Sequence, residues 1–81
     1  MRNTQNNRIV AAKIPVLEKW AKDLEPASPA LAAFFLQTAD WIRKSLEHGT
    51  GFDGYGTGRI EKKVDTMLEM AQILLDERGK A

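Results

Sequence analysis

Eighty-one residues with a net charge of +1 and 28% charged side chains make one small domain whose bulk electrostatics favour no strongly charged partner. Hydrophobic residues at 43% exclude a disordered charged tail, and the lack of cysteine excludes a disulfide framework, a thiolate zinc site and a cysteine nucleophile. One histidine argues against a histidine metal cage, and the longest apolar stretch, Ala30 to Leu36, is far shorter than the roughly 20 residues of a membrane span.

The first seven residues are polar and rich in Asn. They read as a flexible tail ahead of a single helical domain over 8–81. No signal-type apolar run follows them, so a cytoplasmic protein without cofactor or metal is expected. From Ile9 the pattern is helical: Val10, Ile14, Leu17, Ala21 and Leu24 recur at spacings of four and three, with Trp20 at the edge of the stripe. Pro15 falls on the opposite, polar side, where its ring kinks a helix without harming the buried face. The alternative is a loop with the helix starting at Pro15.

Glu25-Pro26-Ala27-Ser28-Pro29 ends the first helix and starts the second. Ser28 suits an N-cap and Pro29 the first helical position, where its missing N–H costs nothing. The second helix is predicted to reach Glu47. Its inward stripe is Leu31, Phe35, Ile42 and Leu46, with Phe34, Thr38, Ala39 and Trp41 beside it. His48 lies in the last turn and Gly49 is a left-handed C-cap residue. Gly49, Gly51, Gly54, Gly56 and Gly58 then read as a connection that neither helix nor strand accepts. The third helix is predicted from Gly58 or Arg59 to about Arg78. Its stripe is Ile60, Val64, Met67, Leu68, Ala71, Leu74 and Leu75, and Gly79 closes it. No strand-length alternation occurs. The expected fold is all-α: a three-helix bundle with a kinked first helix and a Gly-rich loop between helices two and three.

Few residues offer chemistry. Gly49, Gly51 and Gly54 spell G-x-G-x-x-G, but they follow a helix and lack the strand–helix–strand setting of a dinucleotide site. No Gly-Lys-Ser/Thr follows to make a P-loop. What remains is an anion-binding concavity of glycine N–H groups near Arg59, Lys62 and Lys63, or else a plain connection. Phe52 and Tyr55 in this stretch either serve recognition or fold back to cap the core. His48 could act as a base oriented by Asp53 or Glu47, but no nucleophile accompanies it and the helix dipole explains its position. An enzyme is not expected. Glu61, Asp65, Glu69, Gln72 and Asp76 fall within about 80° of one another on the third helix. Like charges at i, i+4 oppose each other by about 0.2–0.5 kcal/mol per pair. The stripe therefore meets a basic partner, pairs with the basic first helix, or is simply solvated.

The apolar surplus is more telling. Leu36 projects from the polar side of the second helix. Met70 and Ile73 leave the inward arc of the third and sit beside Arg59, Thr66 and Glu77, and on the first helix Ile9 and Val16 join Trp20. Each such side chain gains about 1.5–3 kcal/mol on burial, which a marginal domain lacks reason to forgo. The expectation is a small non-enzymatic interaction protein that binds and sterically occludes a protein partner. Its contact set is Leu36, Phe52, Tyr55, Glu61, Asp65, Glu69, Met70 and Ile73, and it also forms a homo-oligomer, with a dimer favoured. In style, though through no motif, this resembles the small accessory proteins of phages and mobile elements that inhibit host machinery. Two alternatives stand beside it. One is nucleic-acid binding through Arg2, Arg8, Lys19 and Lys22, assisted by Arg59, Lys62 and Lys63. The span 1–22 carries five basic residues against Glu18 alone. The other is a small anionic ligand in the Gly-rich loop.

Overall fold

The computed structural model of the chain describes residues 4–48 and 52–80. Among them are three helices, α1 (Thr4–Leu24), α2 (Pro29–Glu47) and α3 (Gly54–Lys80), and no strand. The fold is an all-α three-helix bundle. α1 is its shared element: it packs on α2 most extensively and on α3 as well, while α2 and α3 hardly approach each other. The result is long and narrow, 49 × 18 × 14 Å in Cα extent.

The core follows the expected stripes. Val10, Leu17, Ala21 and Leu24 of α1 meet Ala32, Phe35, Ala39 and Ile42 of α2 and Ile60, Val64, Met67 and Ala71 of α3, all buried. Ile14, Trp20, Leu31, Leu46, Phe52, Leu68, Leu74 and Leu75 pack around them half-buried. α1 runs unbroken through Pro15, which is exposed. The hydrogen bond it cannot donate to the Ala11 carbonyl is therefore lost on the outer side of the helix.

The α1–α2 turn is built as its sequence implies. The Ala27 and Ser28 N–H groups donate to the Leu24 carbonyl at 2.9 and 2.8 Å. The Ser28 hydroxyl then accepts from the Leu31 N–H at 3.2 Å, with Pro29 opening α2. This satisfies one of the four N–H groups a helix start leaves unpaired.

Two boundaries differ from expectation. α1 begins at Thr4, so Thr4–Asn7, expected in the flexible tail, are helical. The Asn7 side chain explains part of this, because its Oδ1 accepts from the Phe52 N–H at 3.1 Å and ties the start of α1 to the segment before α3. α3 begins at Gly54, four or five residues earlier than predicted, so Gly54, Gly56 and Gly58 are helical. Asp53 is the reason. Its Oδ1 accepts from the Gly56 N–H at 2.7 Å and its carbonyl from the Thr57 N–H at 2.9 Å, which is an N-cap. Gly49 and Gly51, and with them half of the G-x-G-x-x-G run, lie outside the described residues.

Candidate functional site

The open side of the bundle lies where α2 and α3 diverge. α2 carries apolar residues over an arc wider than α1 alone can cover. Phe35 and Ile42 turn inward, and Phe34 and Trp41, two turns apart, fall on the flank toward α3 and stay exposed, Trp41 at 52%. α3 supplies the opposite bank with Gly56, Arg59, Ile60 and Lys63, and Phe52 closes one end. Trp41, Phe52 and these four residues enclose a groove of about 420 Å³, within the size range of ligand sites.

The side chains in the groove hold one another. Trp41 and Phe52 stack edge-on, with ring centroids 6.4 Å apart and planes at 72°, a geometry the ring quadrupoles favour. The Lys63 ammonium lies 5.7 Å from the Phe34 ring centroid and the Arg59 guanidinium 5.7 Å from that of Tyr55. Each cation thus rests on an aromatic face. Among the described residues neither Arg59 nor Lys63 is in an ion pair. The two pairs present are Arg43–Glu18 at 2.9 Å, which joins α2 to α1, and Lys44–Asp40 at 3.1 Å within α2. Glu18, by its hydrogen bond first and its charge second, raises the Arg43 pKa above its ordinary value. A raised pKa stabilises the fold at every pH below it, so the Arg43 side adds no pH dependence in the working range.

The expected site residues divide. Phe52 is half-buried against the core and caps it, whereas Tyr55 is 74% exposed. Met70 and Ile73 are exposed at 49% and 59%. Leu36 is exposed at 48%, but on the other flank of α2, where it lines a shallow hollow of about 370 Å³ with Glu18, Ala21, Lys22, Glu25 and Pro26. Glu61 is half-buried, and Asp65 and Glu69 are exposed on the flank of α3 away from the groove. No ion pair among the described residues joins that acidic stripe to α1. Gln72 donates to Asp76 within it at 2.9 Å.

The basic set is not brought together. Arg8, Lys19 and Lys22 are exposed and share the outward arc of α1, while Arg59 and Lys63 line the groove and Lys62 sits outside it. Arg2 lies outside the described residues. His48 is exposed at the end of α2, its N–H donating to the Lys44 carbonyl at 3.0 Å. At the start of α3, where a glycine N–H would meet an anion, the Asp53 carboxylate already takes the Gly56 N–H.

Trp41 in the groove and Phe34 under the Lys63 ammonium are residues that periodicity alone leaves beside the inward stripe. The usable signal was the width of the α2 apolar arc, which asks for more neighbours than α1. Ile9 and Trp20, read as flank surplus, are half-buried instead, and only Val16 of that group is exposed.

These features define a class: a three-helix bundle whose open side is an aromatic groove edged by two cations. Comparison of the chain with protein-family models, with curated proteins and with solved structures gave no match.

Proposed function

We propose that this chain is a small non-enzymatic interaction protein that binds another protein and acts by occupying its surface. One observation carries the reading: Phe34 and Trp41 of α2 and Tyr55, Met70 and Ile73 of α3 are large apolar side chains left exposed, and Trp41 lines the groove between the two helices. Exposed apolar clusters of this kind mark contact surfaces, and Trp, Tyr and Arg are enriched among the residues that carry binding energy in them. The partner would place an aliphatic or aromatic side chain between Trp41 and Ile60, with carboxylates toward Arg59 and Lys63. Occlusion then follows from bulk. This is the mode of action of small accessory proteins of phages and mobile elements, to which the chain bears a likeness of style.

The test is capture from a bacterial lysate with the tagged full chain and with a Phe34→Ser/Trp41→Ser variant. A partner held by the native chain in high salt and lost by the variant, with helix content unchanged, is the expected result. Recovery of no protein, or equal recovery by both, counts against the reading.

A second reading has its own observation. Arg8, Lys19 and Lys22 gather on the outward side of α1, a short basic face suited to phosphates. Binding there would weaken steeply with added salt, so an electrophoretic shift assay at low and moderate salt separates the two.

A further inference from the structure

Five of the seven large apolar side chains exposed among the described residues, Phe34, Trp41, Tyr55, Met70 and Ile73, belong to α2 and α3 on helix positions that turn toward the gap between them or outward beside it. Lys63 fixes the face of α3 that borders this gap, because its ammonium rests on Phe34 of α2. At about 100° per residue, Arg59, Thr66, Met70, Ile73 and Glu77 all fall within about 80° of Lys63. Glu77 follows Arg59 by five full turns and so stands on the same line of the helix. The face thus has Arg59 at one end and Glu77 at the other, with Lys63 and Thr66 and the apolar Met70 and Ile73 between them. Such a surface complements itself when inverted.

We propose that a second copy of this chain packs on this face, α3 against α3, antiparallel about a two-fold axis that passes between Thr66 and Met70, midway along the line from Arg59 to Glu77. The inference rests on the reading that the exposed apolar face is a contact surface, and it names the first occupant. Arg59 then meets the partner's Glu77, and the reciprocal pair forms by symmetry. Met70 comes opposite the partner's Thr66. Ile73 comes level with the partner's Lys63 on the flank of the contact away from α2, while Met70 lies on the flank nearer the partner's Phe34. A parallel arrangement would set Arg59 on Arg59, Lys63 on Lys63 and Glu77 on Glu77, so charge selects the antiparallel one. The overlap from Arg59 to Glu77 is about 27 Å long. One helix width over that length is less than the roughly 800 Å² per partner of a tight complex, so the dimer dissociates on dilution. Of the groove residues, Arg59, Ile60 and Lys63 fall within the overlap, and Trp41, Phe52 and Gly56 lie at its edge.

Sedimentation of the full chain over a range of concentrations tests this. The native chain should show a monomer–dimer equilibrium. Ile73→Asp, Arg59→Glu alone and Glu77→Arg alone should each weaken it at least tenfold, with helix content unchanged by circular dichroism. Mixing the two single charge variants restores both cross-pairs and should restore the dimer, which a merely misfolded variant would not do. A chain that stays monomeric at every concentration overturns the proposal. So does a dimer indifferent to the charge swaps, or one broken by Leu36→Asp and not by Ile73→Asp. A monomer that still captures its partner through Trp41 overturns the self-pairing and leaves the proposed function standing.

Discussion

Among the described residues, Thr38 and Thr57 are the two polar side chains in the core, each under 10% exposed, and they differ in one respect. The Thr38 hydroxyl donates to the Phe34 carbonyl at 2.9 Å, whereas the Thr57 hydroxyl has no hydrogen-bond partner among the described residues. A buried hydroxyl without a partner costs about 1–3 kcal/mol, and a made bond returns about 0.5–1.5 kcal/mol. Valine has nearly the shape of threonine and the same branching, so it isolates the hydroxyl. Thr57→Val should therefore raise stability by about 1 kcal/mol, and Thr38→Val should leave it unchanged or lower it by up to about 1 kcal/mol. Thermal unfolding of both variants checks this, since 1 kcal/mol moves the midpoint of a domain this size by about 4–8 °C. A destabilising Thr57→Val would mean the hydroxyl has a partner in solution. Neither threonine's role could be read from the sequence. Helical periodicity puts Thr38 inside and Thr57 near the start of a helix, but whether a hydroxyl finds an acceptor depends on backbone geometry that spacing does not carry.

At the scale of the element, α3 shows where the sequence was legible and where it misled. Its stripe from Ile60 to Leu75 was plain because apolar spacing reports directly on burial. Its start was not, because glycine counts against helix at about 1 kcal/mol per residue and three fall within five positions. The cap at Asp53 and the bond from Asn7 to the Phe52 N–H offset that cost, and the second of these is a tertiary contact invisible to local pattern. The glycines then differ in a testable way. A Cβ at Gly58 meets nothing within 4 Å, while one at Gly56 comes within 3.2 Å of Asp53 Oδ1 and 3.6 Å of Phe52. Gly58→Ala should stabilise by about 0.5–1 kcal/mol through helix propensity and the unfolded chain. Gly56→Ala should gain less or lose, because it crowds the cap. Asp53→Ala should cost about 1 kcal/mol. Denaturant titration of the three variants is sufficient. If Gly58→Ala and Gly56→Ala behave alike, the cap geometry is not the deciding term.

For the whole molecule the governing fact is that both other helices depend on α1. The radius of gyration, 13.8 Å, exceeds the roughly 11.7 Å expected of a compact chain of this length, as an open arrangement requires. A helix held on one side only buries less per residue, and α3 is so placed: it shares less contact with α1 than α2 does and little with α2. Past Leu75, Asp76, Glu77 and Arg78 are all exposed. Units with fewer buried contacts open at lower free energy. Hydrogen exchange on the full chain should therefore find two levels of protection, with α3 amides opening below the global free energy and those of the α1–α2 pair at it. Substitutions sharpen the prediction. Val64→Ala removes contact between α3 and α1 and should hasten exchange in α3 alone. Phe35→Ala, at about 3–5 kcal/mol, strikes the α1–α2 core and should hasten exchange everywhere, since α3 rests mainly on α1. Uniform protection across all three helices, or an equal response to the two substitutions, would show one cooperative unit. That would require α2 and α3 to be coupled across the groove, with Phe34, Lys63, Trp41 and Phe52 as the contacts able to do it.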